Sequence, residues 1–179
     1  MKVFINPGHA PDRYVDPGAV NSRRGLCESE IAAQIGTRVA GHLRAVGYDV
    51  ILHQNESLEG ICRAANASGA NIFVSIHCNA FDGKARGTEA YCARGSGYGR
   101  ELASCINEQL AASVPVSNRA SWNRGVKTAG FYVLMNTDMP AALIETAFID
   151  NDYDADLLCQ FEDVFARAIA RGITDYFAI

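Results

Sequence analysis

Two histidines and three glutamates stand where they could share chemistry. His9 follows Ile5-Asn6-Pro7-Gly8, a short apolar stretch that ends in a Pro-Gly turn. His77 closes the apolar run Val74-Ser75-Ile76. Of the four histidines, the other two have poorer company. His42 lies mid-helix beside Arg44 and reads as surface, and His53 ends a strand. Taken alone, a strand-end histidine is more often a hydrogen-bonded structural residue than a ligand. The carboxylates change that weighting. Glu28 and Glu30 open a long helix, where the macrodipole favours negative charge in any case. Glu145 is harder to explain as structure, because it sits inside Ala141-Ala142-Leu143-Ile144-Glu145-Thr146-Ala147-Phe148. A carboxylate within an apolar strand is costly unless it is paired or functional. Two imidazoles and one carboxylate, with a fourth position open and a second carboxylate as base, make a hydrolytic zinc site.

Those residues need elements to position them. Residues 2–5, 49–53, 71–77, 87–92, 131–135 and 141–147 read as strands. Residues 71–77 are apolar almost throughout, as in a strand covered on both faces. Residues 30–46, 57–68, 98–112 and 154–177 have helical spacing, the last broken near 159–162. Gly47 is a stop signal for the first helix and Ser57 a cap for the second. Strands alternating with helices predict an α/β chain. The expected architecture is a single-domain three-layer α/β/α fold with a mostly parallel, mixed sheet of about six strands. Residues 92–98 and 115–130 are the only long connections, and both are expected to be loops. Open sheets of this kind bind ligands beyond the carboxyl ends of their strands. His9 and His77 stand at such ends.

Composition narrows the function classes. The chain has 179 residues and a net charge of −4, from 16 basic and 20 acidic side chains. Its 49% hydrophobic and 20% charged residues are those of a folded globular domain. The acidic balance argues against a nucleic-acid partner, which calls for basic patches. No apolar run approaches the roughly 20 residues that span a bilayer, so no membrane partner is expected. The first residues lack the apolar core of a secretion signal. The six cysteines, Cys27, Cys62, Cys78, Cys92, Cys105 and Cys159, include no CxxC or CxxxC pair. Most are read as buried free thiols, which suits a reducing compartment.

Several motifs in order then resemble one family. They are PGHA at 7–10, DPGAV at 16–20, GLCESE at 25–30, SIHCNA at 75–80, GTEAYC at 87–92, FYVLMNTDMPAALIE at 131–145 and FIDN at 148–151. The chain resembles the zinc-dependent N-acetylmuramoyl-L-alanine amidases, which include autolysins, sporulation amidases and some phage endolysins. The resemblance implies one Zn2+ per chain, with His9, Glu28 and His77 as ligands and Glu145 as the catalytic glutamate. Glu30 is the rival ligand, but Gly25-Leu26-Cys27-Glu28 fits the motif in register. The implied reaction is hydrolysis of the amide between N-acetylmuramic acid and the L-alanine of the stem peptide, by zinc-activated water with Glu145 as general base. Two rival readings are a zinc peptidase of the same scaffold cutting within the stem peptide, and a non-catalytic wall-binding module.

The resemblance also sets finer expectations. Asn79 and Arg124 are the candidate substrate contacts, although a turn asparagine would read the same way. Arg124 suits the carboxylates of a stem peptide, whereas Lys127 reads as part of a solvated loop. Trp122 would either touch glycan or pack. The implied partner is peptidoglycan, met by a monomer acting at the cell wall through an uncovered cleft. Residues 1–179 would form the catalytic domain, either cut from a longer secreted protein or made in the cytoplasm and released by lysis. Three positions depart from the family's usual pattern: Ala10 and Ala147 replace glycines, and Met135 stands where arginine is common.

Overall fold

The computed structural model describes residues 1–179. Its main sheet joins β1 (Lys2–Pro7), β4 (Asp49–Leu52), β5 (Ile72–Asn79), β6 (Thr88–Cys92), β7 (Asn123–Thr128) and β8 (Ala141–Phe148). The strand order is β4-β1-β5-β8-β6-β7. The first four run parallel, β6 is antiparallel to β8, and β7 runs parallel to β6. A two-strand ribbon, β2 (Val20–Asn21) with β3 (Leu26–Cys27), leads into helix α1 (Glu28–Ala45). The other helices are α2 (Leu58–Ala67), α3 (Gly97–Ser113), α4 (Arg119–Trp122), α5 (Tyr132–Met135), α6 (Asp152–Gln160) and α7 (Glu162–Tyr176). The three-layer α/β/α fold with six mostly parallel strands is as expected.

Strand alternation assigns the two faces of the sheet. Val3, Ile5, Ile72, Val74, Ile76, Ala142 and Ile144 turn toward α1, α3 and α7, in a buried cluster of 32 residues. Phe4, Phe73, Ala141 and Leu143 turn the other way, in a cluster of only 10 that includes Ile61 of α2 and Val133 of α5. This second layer is too thin to cover the sheet. Beyond its edge the same alternation brings up Asn6 after Phe4, Ser75 and His77 after Phe73, and Glu145 after Leu143. On β6 it brings up Glu89 two residues before Tyr91.

Two expectations fail, for physical reasons. Residues 131–135 are β-prone in composition but form the turn of helix α5. Asn136 Nδ2 donates to the Tyr132 carbonyl (2.9 Å) and Thr137 Oγ1 to the Val133 carbonyl (2.7 Å). These back-bonds satisfy carbonyls that a strand would leave for a neighbour. The sixth strand is instead β7, within the 115–130 segment expected to be a loop, which also holds α4. Lys127 is therefore a strand residue, not part of a solvated loop. Trp122 is packed in the core, 2% exposed, with its ring 6.3 Å from that of Phe165.

Other expectations hold. Ser57 caps α2 by accepting from Gly60 N, and the last helical region breaks at Phe161. His42 is an exception: read as surface, it is half-buried and pairs with Asp163 across α1 and α7. All six cysteines are free thiols, four of them buried.

Candidate metal centre

The uncovered end of the sheet forms a cleft of about 550 Å³, lined by His9, Asp16, Glu28, His77, Asn79 and Glu145 among others. A larger open groove, about 960 Å³ between residues 96–101 and 137–141, lies at the start of β8 and contains none of them. Three elements deliver the cluster. His9 stands on the loop after β1, at φ 64°, a left-handed conformation unusual outside glycine. Gln54 Nε2 lies 3.1 Å and 3.3 Å from the carbonyls of Gly8 and Ala10, bracketing that residue. Glu28 is the first residue of α1 and only 4% exposed. His77 lies on β5, paired in register with Glu145 of β8.

The donor atoms of His9, Glu28 and His77 lie within 4.8 Å of one another. Glu28 bridges the imidazoles, with Oε2 2.9 Å from His9 Nε2 and Oε1 2.8 Å from His77 Nδ1. Two glycines make room. A Cβ on Gly8 would fall 2.3 Å from the His77 ring, and one on Gly18 would fall 2.5 Å from His9 and 2.6 Å from Glu28. Glu30 points away and pairs with Arg13. Of the two rival glutamates, Glu28 alone is in the cluster.

Hydrogen bonds fix which nitrogens face Glu28. Asn6 Nδ2 donates to the carbonyls of Pro7 and His53, so its Oδ1 accepts from the Ser75 hydroxyl at 2.9 Å. Ser75 Oγ then accepts from His77 Nε2–H at 3.1 Å, which leaves Nδ1 with a lone pair. Asp16 Oδ2 accepts from His9 Nδ1–H at 2.9 Å, which leaves Nε2 with a lone pair. As neutral imidazoles in these tautomers, the two rings would turn two lone pairs toward two carboxylate oxygens. Such contacts repel unless a cation lies between them, so this donor set fits a divalent metal ion. Without metal, protons serve. Burial opposes charge on His9, yet its contacts with Glu28 and Asp16 raise its pKa to about 9. Burial likewise opposes ionisation of Glu28, but His77 and His9 hold its carboxyl below the ordinary range.

Glu145 is the opposite case. It lines the cleft, and its Oε2 has no hydrogen-bond partner. Burial first, and then the charges of Glu28 and Glu89, push its pKa up to about 7 against the pull of the histidines. That value suits a group that must both take and return a proton near neutral pH. Asn79 lines the same cleft, and its Nδ2 donates to Glu89 Oε1 at 2.7 Å. Arg124 does not line the cleft, because its Nε pairs with Glu89 Oε2 at 2.7 Å. Asp16, Ser75 and Glu89 sit inside quoted motifs, but nothing in their spacing reveals their roles. Glu89 carries one usable signal, the one that marks Glu145: a carboxylate inside an otherwise apolar strand.

A His-Glu-His cluster beside a buried, proton-poised carboxylate, at the strand ends of an α/β sheet, is an arrangement that suits metal-assisted hydrolysis. The chain matches the N-acetylmuramoyl-L-alanine amidase family over residues 3–175 and belongs to it. It is 38% identical, over 98% of its length, to the N-acetylmuramoyl-L-alanine amidase LytC of Bacillus subtilis, of which it spans 35%. It is 36% identical to the amidase CwlM of Bacillus licheniformis, over 96% of this chain and 65% of that one. The solved structure of the amidase AmiC2 of Nostoc punctiforme matches with a TM-score of 0.88 at 33% identity, covering 100% of this chain and 98% of that one.

Proposed function

We propose that residues 1–179 form a catalytic domain that hydrolyses peptidoglycan at the amide between N-acetylmuramic acid and the L-alanine of the stem peptide. The observation that carries this reading is the convergence of His9, Glu28 and His77, with donor atoms within 4.8 Å of one another, beside the unpartnered Glu145, in a chain of this family. His9, Glu28 and His77 would hold one zinc ion. When bound, zinc supplies Lewis acidity, making hydroxide available at a pKa of about 7 and polarising a carbonyl.

The remaining steps belong to the protein. Glu145 takes the proton of the attacking water and returns it to the departing alanine nitrogen. Asp16 and Ser75 hold the imidazoles in one tautomer and orientation. Phe131, Tyr132 and Leu58 give the cleft apolar walls. Asn79 donates its Nδ2 to Glu89, so its Oδ1 is left to accept a substrate N–H. Arg124 stands beside the cleft as a cationic contact for the peptide.

Zinc content and peptide release, measured together, test the assignment. Wild type binds one zinc and frees stem peptides from purified peptidoglycan. Glu145→Ala keeps the zinc and loses release, whereas His77→Ala loses both. Full activity in Glu145→Ala would overturn the mechanism.

A further inference from the structure

One buried charge plays no part in the reaction above. Glu89 is 2% exposed, yet its burial is not relieved by losing the charge. Burial opposes its ionisation, but Lys127, Arg124 and Tyr91 keep its carboxyl below the ordinary value. Oε1 accepts from Asn79 Nδ2 and from Tyr91 Oη, each at 2.7 Å. Oε2 accepts from Arg124 Nε at 2.7 Å and from Lys127 Nζ. A fully connected network of this kind is rigid.

Its charges do not cancel. One carboxylate faces one guanidinium and one ammonium, so the cluster carries one surplus positive charge. The two cationic side chains remain 35% and 41% exposed, so that surplus is offered to solvent.

The sheet places this cluster relative to the reaction. His77 pairs with Glu145 across β5 and β8, and Glu145 pairs with Glu89 across β8 and β6. Arg124 and Lys127 belong to β7, the next strand. The three carboxylate and imidazole positions form one row on the uncovered face, ending at the cations. Strands lie about 4.8 Å apart, so the row from Glu145 to β7 spans roughly 10 Å. That is the reach of two to three residues of extended chain at about 3.3 Å each. Asn79 touches both the cleft and the hub, which makes the two continuous.

We propose that Arg124 and Lys127, held in place by Glu89, form an anion subsite that takes the free carboxylate of the second residue of the stem peptide. The subsite deepens the amidase reading and rests on it. Arg124, with Nε on Glu89 and Nη1 3.5 Å from the Arg86 carbonyl, supplies its remaining guanidinium N–H groups, and Lys127 supplies the second charge. Glu89 is a positioning residue, which acts on the peptide only through these cations.

Two synthetic muramyl tripeptides test the subsite. They differ only at the second stem residue, whose carboxyl is free in one and a primary amide in the other. Hydrolysis is followed for the zinc-loaded protein, and binding of both ligands is measured by calorimetry on Glu145→Gln. Wild type favours the free acid in kcat/KM by about tenfold, the scale of one charge-assisted contact, mainly through KM. The preference disappears in Arg124→Ala/Lys127→Ala. It also disappears in Glu89→Gln/Arg124→Gln/Lys127→Gln, which leaves no buried carboxylate unpaired and so guards against misfolding. Arg124→Lys retains it in part. Equal turnover of the two ligands by wild type, or a preference that survives both multiple variants, overturns the subsite while leaving the amidase reading intact. Carboxylate-dependent binding without cleavage of either ligand supports the subsite and overturns the amidase reading. Neither binding nor cleavage overturns both.

Discussion

Ile144 and Glu145 are neighbours on one strand and face opposite sides of one sheet. Ile144 lies on the side packed by α1, α3 and α7, where Val3, Ile5, Val74, Ile76, Ala142 and Ile144 alternate along the central strands with no exposure. Glu145 lies on the side where α2 and α5 give only a thin cover, and beyond it the alternate residues are polar. The covered face gains stability from burying apolar surface, about 25 cal/mol per Å². The uncovered face carries costs that the covered face does not: the left-handed backbone of His9 and the buried, unpartnered carboxylate of Glu145. Stability and chemistry are therefore separated across the thickness of a single strand, and adjacent substitutions are expected to have unlike effects.

The sharpest contrast comes from that pair of neighbours. Glu145→Gln keeps the shape but removes the proposed base, so turnover is expected to fall by about 10²–10⁴-fold, as for loss of a general base. Its stability is unchanged or higher above pH 7, where the wild-type carboxylate is charged in a site that disfavours charge. Ile144→Ala does the reverse. It costs about 2–5 kcal/mol of stability, as for a large core truncation, while turnover per folded molecule persists. Denaturant unfolding and stopped-time peptide release, run on both variants, separate the two.

Glycines sharpen the contrast within the uncovered face. Gly18 and Gly25 have nearly the same backbone, at φ 66° and 68°. A Cβ at Gly18 would strike His9 and Glu28, whereas one at Gly25 meets nothing within 4 Å. Gly18→Ala is expected to weaken zinc binding by about a hundredfold or more, the upper end for disturbing a ligand's support. Gly25→Ala costs only the strain of a left-handed alanine, about 1–2 kcal/mol, with zinc affinity kept. Competition against a chelating dye measures both.

Smaller losses follow from the groups that orient the imidazoles. Asp16→Asn and Ser75→Ala each lower zinc affinity by about 10- to 100-fold.

Protons compete with the metal as well. His9 has a pKa of about 9 without metal, so zinc must displace its proton at neutral pH. Apparent affinity then falls by about tenfold for each pH unit below that value, for each proton displaced. The same shift stabilises the metal-free protein. Because the folded pKa is raised from 6.5, that contribution is complete below pH 6.5 and is lost as pH rises through about 9. Thermal unfolding of the metal-free protein across that window shows the loss, and the zinc-loaded protein does not share it.

The contrast between faces also explains what could be read from the residues alone. Glu145 stands out because a carboxylate in an apolar strand is costly, whereas His9, Glu28 and His77 stand out by their places in the ordered motifs, and motif register separates Glu28 from Glu30. Most strands and helices follow from apolar spacing. The edge strand β7 escapes, because Asn123-Arg124-Gly125-Val126-Lys127-Thr128 has no apolar alternation and pairs with β6 alone. Helix α5 escapes because side chains beyond its end, Asn136 and Thr137, close it. Asp16 and Ser75 look like ordinary turn and strand residues until the imidazoles lie against them. Side-chain hydrogen bonds of this kind leave no periodic trace, even at separations of seven and two residues.

Mass spectrometry of purified peptidoglycan digested by the zinc-loaded protein addresses the proposed reaction most directly. The expected products are glycan strands with free lactyl carboxyls and intact stem peptides that begin with a free L-alanine amine, both absent in Glu145→Gln. New amino termini within the stem, or products that persist in Glu145→Gln, would contradict it.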